Sequence, residues 1–181
     1  MERLEPVVSP QRVQERIAEV AGEISSAYRD AREPLVLVCV LKGAFIFCAD
    51  LVRQLDFEPE IEFVRLASYG SGTVAEQELS FTKDVESSLR DKHVLIVEDI
   101  LDTGRTVAYL SRVFSSKSPA SLRICSLIHK LERRSADIDP HFTGFTVEKG
   151  FLVGCGLDYA HKYRNKSGIY EVVFSGQSSG D

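Results

Sequence analysis

Three apolar stretches constrain the fold of this chain more than anything else in it: "PLVLVCVL" (34–41), "HVLIVED" (93–99) and "SLRICSLI" (121–128). The first has no polar side to turn toward water, so that strand must be covered on both faces. That is the position of a strand inside a parallel sheet with helices above and below. The intervening segments carry helical spacing instead. Ser9-Pro10 has the form of an N-cap and first helical residue, and Val13, Ile17, Val20, Ile24 and Tyr28 follow on one stripe. "AFIFCADLVRQL" (44–55) reads as a second helix with Phe45, Cys48, Ala49 and Val52 on one side. "TGRTVAYLSRVFSS" (103–116) reads as a third, with Val107, Leu110 and Phe114 inward. Further strands are predicted at "IEFVRLA" (61–67), "FTGFTV", "FLVGC" and "IYEVVF" (169–174). Strands alternating with helices imply an α/β fold: an open, twisted, mostly parallel sheet flanked by helices.

The chain has 181 residues, 44% of them hydrophobic and 27% charged, which suits one domain, 1–181, with a sizeable core. A formal net charge of −5 argues against a protein held to nucleic acid by bulk charge. No segment approaches the roughly 20 apolar residues of a membrane span. The opening "MERLEPVVSPQR" lacks the apolar core of a secretory signal, so the expected location is cytoplasmic. Cys39, Cys48, Cys125 and Cys155 show no C-x-x-C spacing and read as reduced structural thiols. The four histidines share no ligand spacing. The polar, glycine-punctuated stretch after Ala67 is long for a connector, as lids are, and "SGQSSGD" (175–181) reads as a flexible tail.

In such sheets ligands bind beyond the carboxyl ends of the strands. That rule gathers Lys42, Ser68-Tyr69, Glu98 to Thr106 and Lys130 on one rim. The stretch "VLIVEDILDTGRT" (94–106) is a puzzle there. A tight turn opening a helix, with the backbone amides of Asp102 to Thr106 and two hydroxyls, suits a compact phosphate. Yet Glu98, Asp99 and Asp102 are acids. Carboxylates repel phosphate but suit sugar hydroxyls and divalent cations, so the pattern fits a 5-phosphoribose with Asp102 left for proton transfer or for stabilising positive charge. Neither G-x-x-x-x-G-K-[ST] nor G-x-G-x-x-G is present in it.

This stretch resembles the phosphoribosyl-pyrophosphate motif of the type I phosphoribosyltransferases. "LVCVLKGAFIF", "SYGSGT", "SLIHK" and "GFLVGCGLDYAHKYRN" make the chain similar to the hypoxanthine-guanine branch in its bacterial form, from about Leu35 to Phe174. The resemblance implies a hood of terminal segments over the sheet and a mobile lid, 68–82, beginning at Ser68-Tyr69. It implies that Glu98 and Asp99 hold ribose hydroxyls near Mg²⁺, and that Asp102, Thr103, Gly104, Arg105 and Thr106 wrap the 5-phosphate. Leu41, Lys42 and Gly43 match a pyrophosphate loop whose first peptide is often cis, with Arg164 also on the pyrophosphate. Lys130 would donate to a purine 6-oxo group, Phe151 stack on the base and the Leu152 backbone read its edge. Asp158 borders the base and serves a second Mg²⁺.

The activity implied by the resemblance is Mg²⁺-dependent transfer of 5-phosphoribosyl from phosphoribosyl pyrophosphate to N9 of hypoxanthine or guanine, with Asp102 as the base. A xanthine-preferring sister enzyme, or a phosphoribosyl-pyrophosphate-sensing regulator of the same fold, shares much of this pattern. The family implies a homodimer or homotetramer, with no nucleic acid or membrane as partner. Arg105 stands where many members carry Lys, and Cys155 where an aromatic is common.

Overall fold

The computed structural model describes residues 2–69, 78–132 and 138–174. Its elements in chain order are β1 (Glu2–Val8), α1 (Pro10–Tyr28), β2 (Leu35–Leu41), α2 (Phe45–Val52), β3 (Glu60–Tyr69), β4 (Glu78–Lys83), β5 (His93–Leu101), α3 (Arg105–Ser115), β6 (Ser121–Lys130), β7 (Phe142–Val147), β8 (Leu152–Val153) and β9 (Ile169–Phe174).

Six strands form the central sheet in the order β4-β3-β2-β5-β6-β7. The pairings from β3 across to β7 are parallel, and only β4 runs antiparallel, against β3. Because side chains alternate across a strand, each central run divides between two cores. On β2, Leu35, Leu37 and Cys39 join the cluster under α1 and α2, while Val36, Val38 and Val40 join the one under α3. On β5, Leu95 and Val97 face the first cluster, and Val94 and Ile96 the second. Covering both faces is what the unbroken apolar runs require.

A second, smaller sheet has the order β1-β9-β8. The sequence did not suggest β1. "ERLEPVV" mixes charges with a proline, but at a sheet edge proline costs no interior hydrogen bond, and the register shifts between Pro6 and Val8. Strand β4, inside the stretch read as a lid, is likewise an addition. Residues 70–77 and 175–181, where the lid and tail are expected, lie outside the described residues.

Two further expectations are corrected. In α2 the inward side is Ala44, Phe47, Cys48 and Leu51, whereas Phe45 and Ala49 are exposed. Strand β5 runs two residues beyond the expected 93–99, to Leu101, so Glu98 and Asp99 lie short of its tip. The N-cap of α1 is as the sequence implies: Ser9 Oγ accepts from the Arg12 backbone N–H at 3.2 Å.

Candidate active site

Three backbone segments meet at the carboxyl end of β5. Burial on strand β5 leaves Glu98 and Asp99 7% and 8% exposed. Asp99 Oδ1 accepts from the Ile100 N–H at 2.8 Å, and Glu98 Oε1 from the Asp99 N–H at 3.3 Å. Glu98 Oε2 is enclosed with no hydrogen-bond partner among the described residues. Burial holds the Glu98 carboxyl well above the usual carboxylate range, reinforced by the Asp99 charge, and burial raises Asp99 as well. Two buried acids side by side, one with an unused oxygen, are suited to a cation.

The second segment is the turn after β2, where the Leu41-Lys42 peptide is cis. Gly43 lies so close to Asp99 that an added Cβ would fall 1.8 Å from Oδ2. The third is the loop after β8. Gly156 has φ of +103°, and a Cβ there would sit 2.0 Å from the Gly43 carbonyl oxygen. The two glycines let the turn of β2 fit between the acids and the hood loop.

Past Leu101 the chain turns at Asp102 and Thr103 into Gly104, which has φ of +78° and caps α3. The Arg105 N–H donates to Thr103 Oγ1 at 3.4 Å, and the Ala108 N–H to the Gly104 carbonyl at 2.9 Å. The first turn of α3 itself holds no acidic residue, so its amides face no carboxylate of the helix's own.

Lys130 ends β6 beside this turn and is 6% exposed. Its Nζ lies 3.2 Å from Glu132 Oε2 and 3.7 Å from Asp102 Oδ1. That Asp102 oxygen is enclosed and has no hydrogen-bond partner among the described residues. Asp102 and Lys130 both face a cleft of about 650 Å³, which Asp99, Phe151, Leu152 and Asp158 also line. Phe151, by periodicity a core candidate, is 46% exposed. Its ring lies perpendicular to that of Tyr159, with centroids 5.3 Å apart and planes at 84°, and borders the cleft.

Asp158 and Arg164 pair with each other. Arg164 Nη2 is 2.5 Å from Asp158 Oδ1, and Nη1 donates to the Gly156 carbonyl at 2.6 Å. The other Asp158 oxygen accepts from the His161 N–H at 2.9 Å. Lys42 is exposed, and with Leu41, Lys83 and Arg164 it borders a separate concavity of about 480 Å³ walled by Phe45 and Phe63. Ser68 and Tyr69 close β3, their backbones opposite Leu79 and Glu78. Among the described residues no three His, Cys, Asp or Glu side chains gather to chelate an ion by themselves.

The structure thus brings Asp99, Asp102, Lys130, Phe151, Leu152 and Asp158 to one cleft, and Lys42 and Arg164 to the separate concavity. Glu132 and Glu171 join the cleft, and Gly156 packs on the Gly43 turn, without having stood out in the sequence. Glu132 is disguised by the charged run "HKLERR", and Glu171 by an alternating strand; the glycine after Cys155 was the one available signal for Gly156.

The phosphoribosyl transferase domain family matches residues 9–160. The hypoxanthine phosphoribosyltransferase of Haemophilus influenzae is 40% identical over 168 residues, covering 92% of this chain and 94% of that protein. The hypoxanthine-guanine phosphoribosyltransferase of Bacillus subtilis is 39% identical over 172 residues, covering 91% and 94%. A crystal structure of a hypoxanthine-guanine phosphoribosyltransferase from Bacillus anthracis superposes with a TM-score of 0.87 at 34% identity, covering 96% of this chain and all of that one.

Proposed function

The chain belongs to the phosphoribosyltransferase family, and from that premise we propose that it is a purine salvage enzyme. It transfers the 5-phosphoribosyl group of phosphoribosyl pyrophosphate to N9 of hypoxanthine, and of guanine, giving IMP or GMP and pyrophosphate. The observation that carries this reading is the pair at the cleft floor. Lys130, a pure donor, lies beside Asp102, an acceptor with an unused oxygen. A 6-oxopurine presents the complement on neighbouring atoms, an oxygen at C6 and a proton at N7.

In the reaction the C1–O bond to pyrophosphate breaks, its electron pair leaves with pyrophosphate, and the N9 lone pair forms the new bond to C1. Asp102 takes the N7 proton as the base attacks. Positioned acid–base catalysis of this kind is worth about 10²–10⁴-fold. Lys130 holds the 6-oxo oxygen, Phe151 carries the ring, and the backbone at Leu152 and the neighbouring Asp158 meet its other edge. The amides of Thr103 to Thr106, at the N-terminal end of α3, hold the 5-phosphate. Leu41 to Gly43 and Arg164 receive the pyrophosphate.

The unused oxygen of Glu98 and the buried neighbour Asp99 fit Mg²⁺, completed by substrate oxygens, as that ion prefers. Asp158 is assigned to a second ion. When bound, Mg²⁺ neutralises the pyrophosphate charge. Residues 68–82 act as the lid that keeps the activated sugar from water. The whole chain works as one domain, in a homodimer or homotetramer; exposed Phe45, Ile61 and Phe63 supply apolar surface for association. No helix among the described residues is long and apolar enough to cross a membrane, and the reading makes the enzyme cytoplasmic.

Incubation with Mg²⁺, phosphoribosyl pyrophosphate and each of five nucleobases tests this. Hypoxanthine and guanine should be consumed, and adenine left, because an ammonium cannot accept from a 6-amino group. Transfer to xanthine alone would make the chain the sister enzyme, and transfer to no base would leave a binding protein.

A further inference from the structure

A lysine buried beside a single carboxylate settles onto it. Lys130 is 6% exposed and ends on the cleft floor next to Asp102, yet its ammonium stands 3.7 Å from Asp102 Oδ1, outside hydrogen-bond distance. The cause of the displacement is visible in the ion pairs. Glu132, two residues further along the chain at the cleft wall, lies closer, with Oε2 at 3.2 Å. The ammonium is shared between two carboxylates and leans toward the outer one. The same geometry leaves Asp102 Oδ1 enclosed and without a hydrogen-bond partner among the described residues.

We infer that Glu132 is a positioning residue for the purine site, holding the Lys130 ammonium off Asp102 so that donor and acceptor stay apart until a base comes between them. The inference rests on the purine-transfer reading and adds to it a residue that the reading does not use. Two groups that must meet adjacent atoms of one ring, an oxygen to be held and a proton to be taken, are of no use to it while they are bonded to each other. A close Lys130–Asp102 pair would have to be broken by each incoming purine, and that cost would fall on binding. Glu132 removes it by giving the buried charge a second partner. Its carboxylate is partly exposed at the mouth, so it can stay hydrated on one side while pairing on the other. The cost of a closed pair is met when the base binds and is common to the ground and transition states. Loss of Glu132 therefore moves KM for the base and not kcat.

The test is steady-state kinetics of the full chain with Mg²⁺, comparing wild type, Glu132→Gln and Glu132→Asp. Glu132→Gln should raise KM for hypoxanthine about tenfold, the usual scale for losing one charged partner. The kcat and the KM for phosphoribosyl pyrophosphate should stay essentially unchanged. Glu132→Asp, which keeps the charge, should recover most of the loss. An unchanged or lowered hypoxanthine KM in Glu132→Gln would overturn the inference. A defect confined to kcat, or Asp failing as badly as Gln, would do the same. A wild type that consumes no 6-oxopurine refutes the function itself, whereas an active wild type with an indifferent Glu132→Gln variant refutes only the role given to Glu132.

Discussion

In the proposed reaction Asp102 is the residue on which the chemistry turns, and its surroundings suit that use. One oxygen is enclosed beside an ammonium and accepts no hydrogen bond among the described residues. Replacing it with asparagine keeps the shape and removes the proton acceptor, so Asp102→Asn should lower kcat by about 10²–10⁴-fold. Binding of phosphoribosyl pyrophosphate, read by calorimetry, should hold nearly constant. Residues of this kind were legible because they crowd one continuous motif, where acids, hydroxyls and glycine stand within a single turn of each other. Glu132 was not, since its meaning lies in a distance to Lys130 that no spacing encodes. Nor was the service of Gly43 and Gly156, each of which makes room for a segment far away in sequence.

Elements were read well where their pattern had one solution. Strand β2 has no polar face and could only be interior. Helix α2 had two solutions: Ala44, Phe47, Cys48 and Leu51 form one apolar stripe, and Phe45, Cys48, Ala49 and Val52 the next one round. Periodicity cannot choose between them; packing against α1 and the sheet does. The junction of β6 and β7 offers a test at this scale. His141 Nδ1 accepts from the Ile124 N–H at 3.2 Å while the His141 N–H donates back to the Ile124 carbonyl at 2.8 Å. Burial, then the nearby Arg123 charge, lowers its pKa from 6.5. A folded-state value below the unfolded one means that protons favour unfolding. The contribution is thus complete above about pH 6.5 and is lost as pH falls through the lower folded value. In denaturant titrations the stability gap between wild type and His141→Ala should be widest near neutral pH and narrow toward pH 5. A gap that does not vary with pH would remove this histidine from the acid response.

At the scale of the molecule, two hydrophobic clusters lie on opposite faces of one sheet, and they share its strands. Phe114 on α3 is fully buried in the cluster that contains Val38 and Ile96. Phe114→Ala should cost about 3–5 kcal/mol, measurable by chemical denaturation, with the transition remaining single because the sheet couples both faces. The small sheet follows a different logic. Strand β1 finds its partner in β9, Glu2 opposite Phe174, and β9 supplies Glu171, Val172 and Phe174 to the wall of the cleft. On the ribosome β1 emerges long before the strand that will receive it. The central sheet can form in the interval, but the wall cannot. The proposed purine site should therefore be the last part of the protein to come into being, and a nascent chain halted before β9 should carry a folded core and no grip on a base.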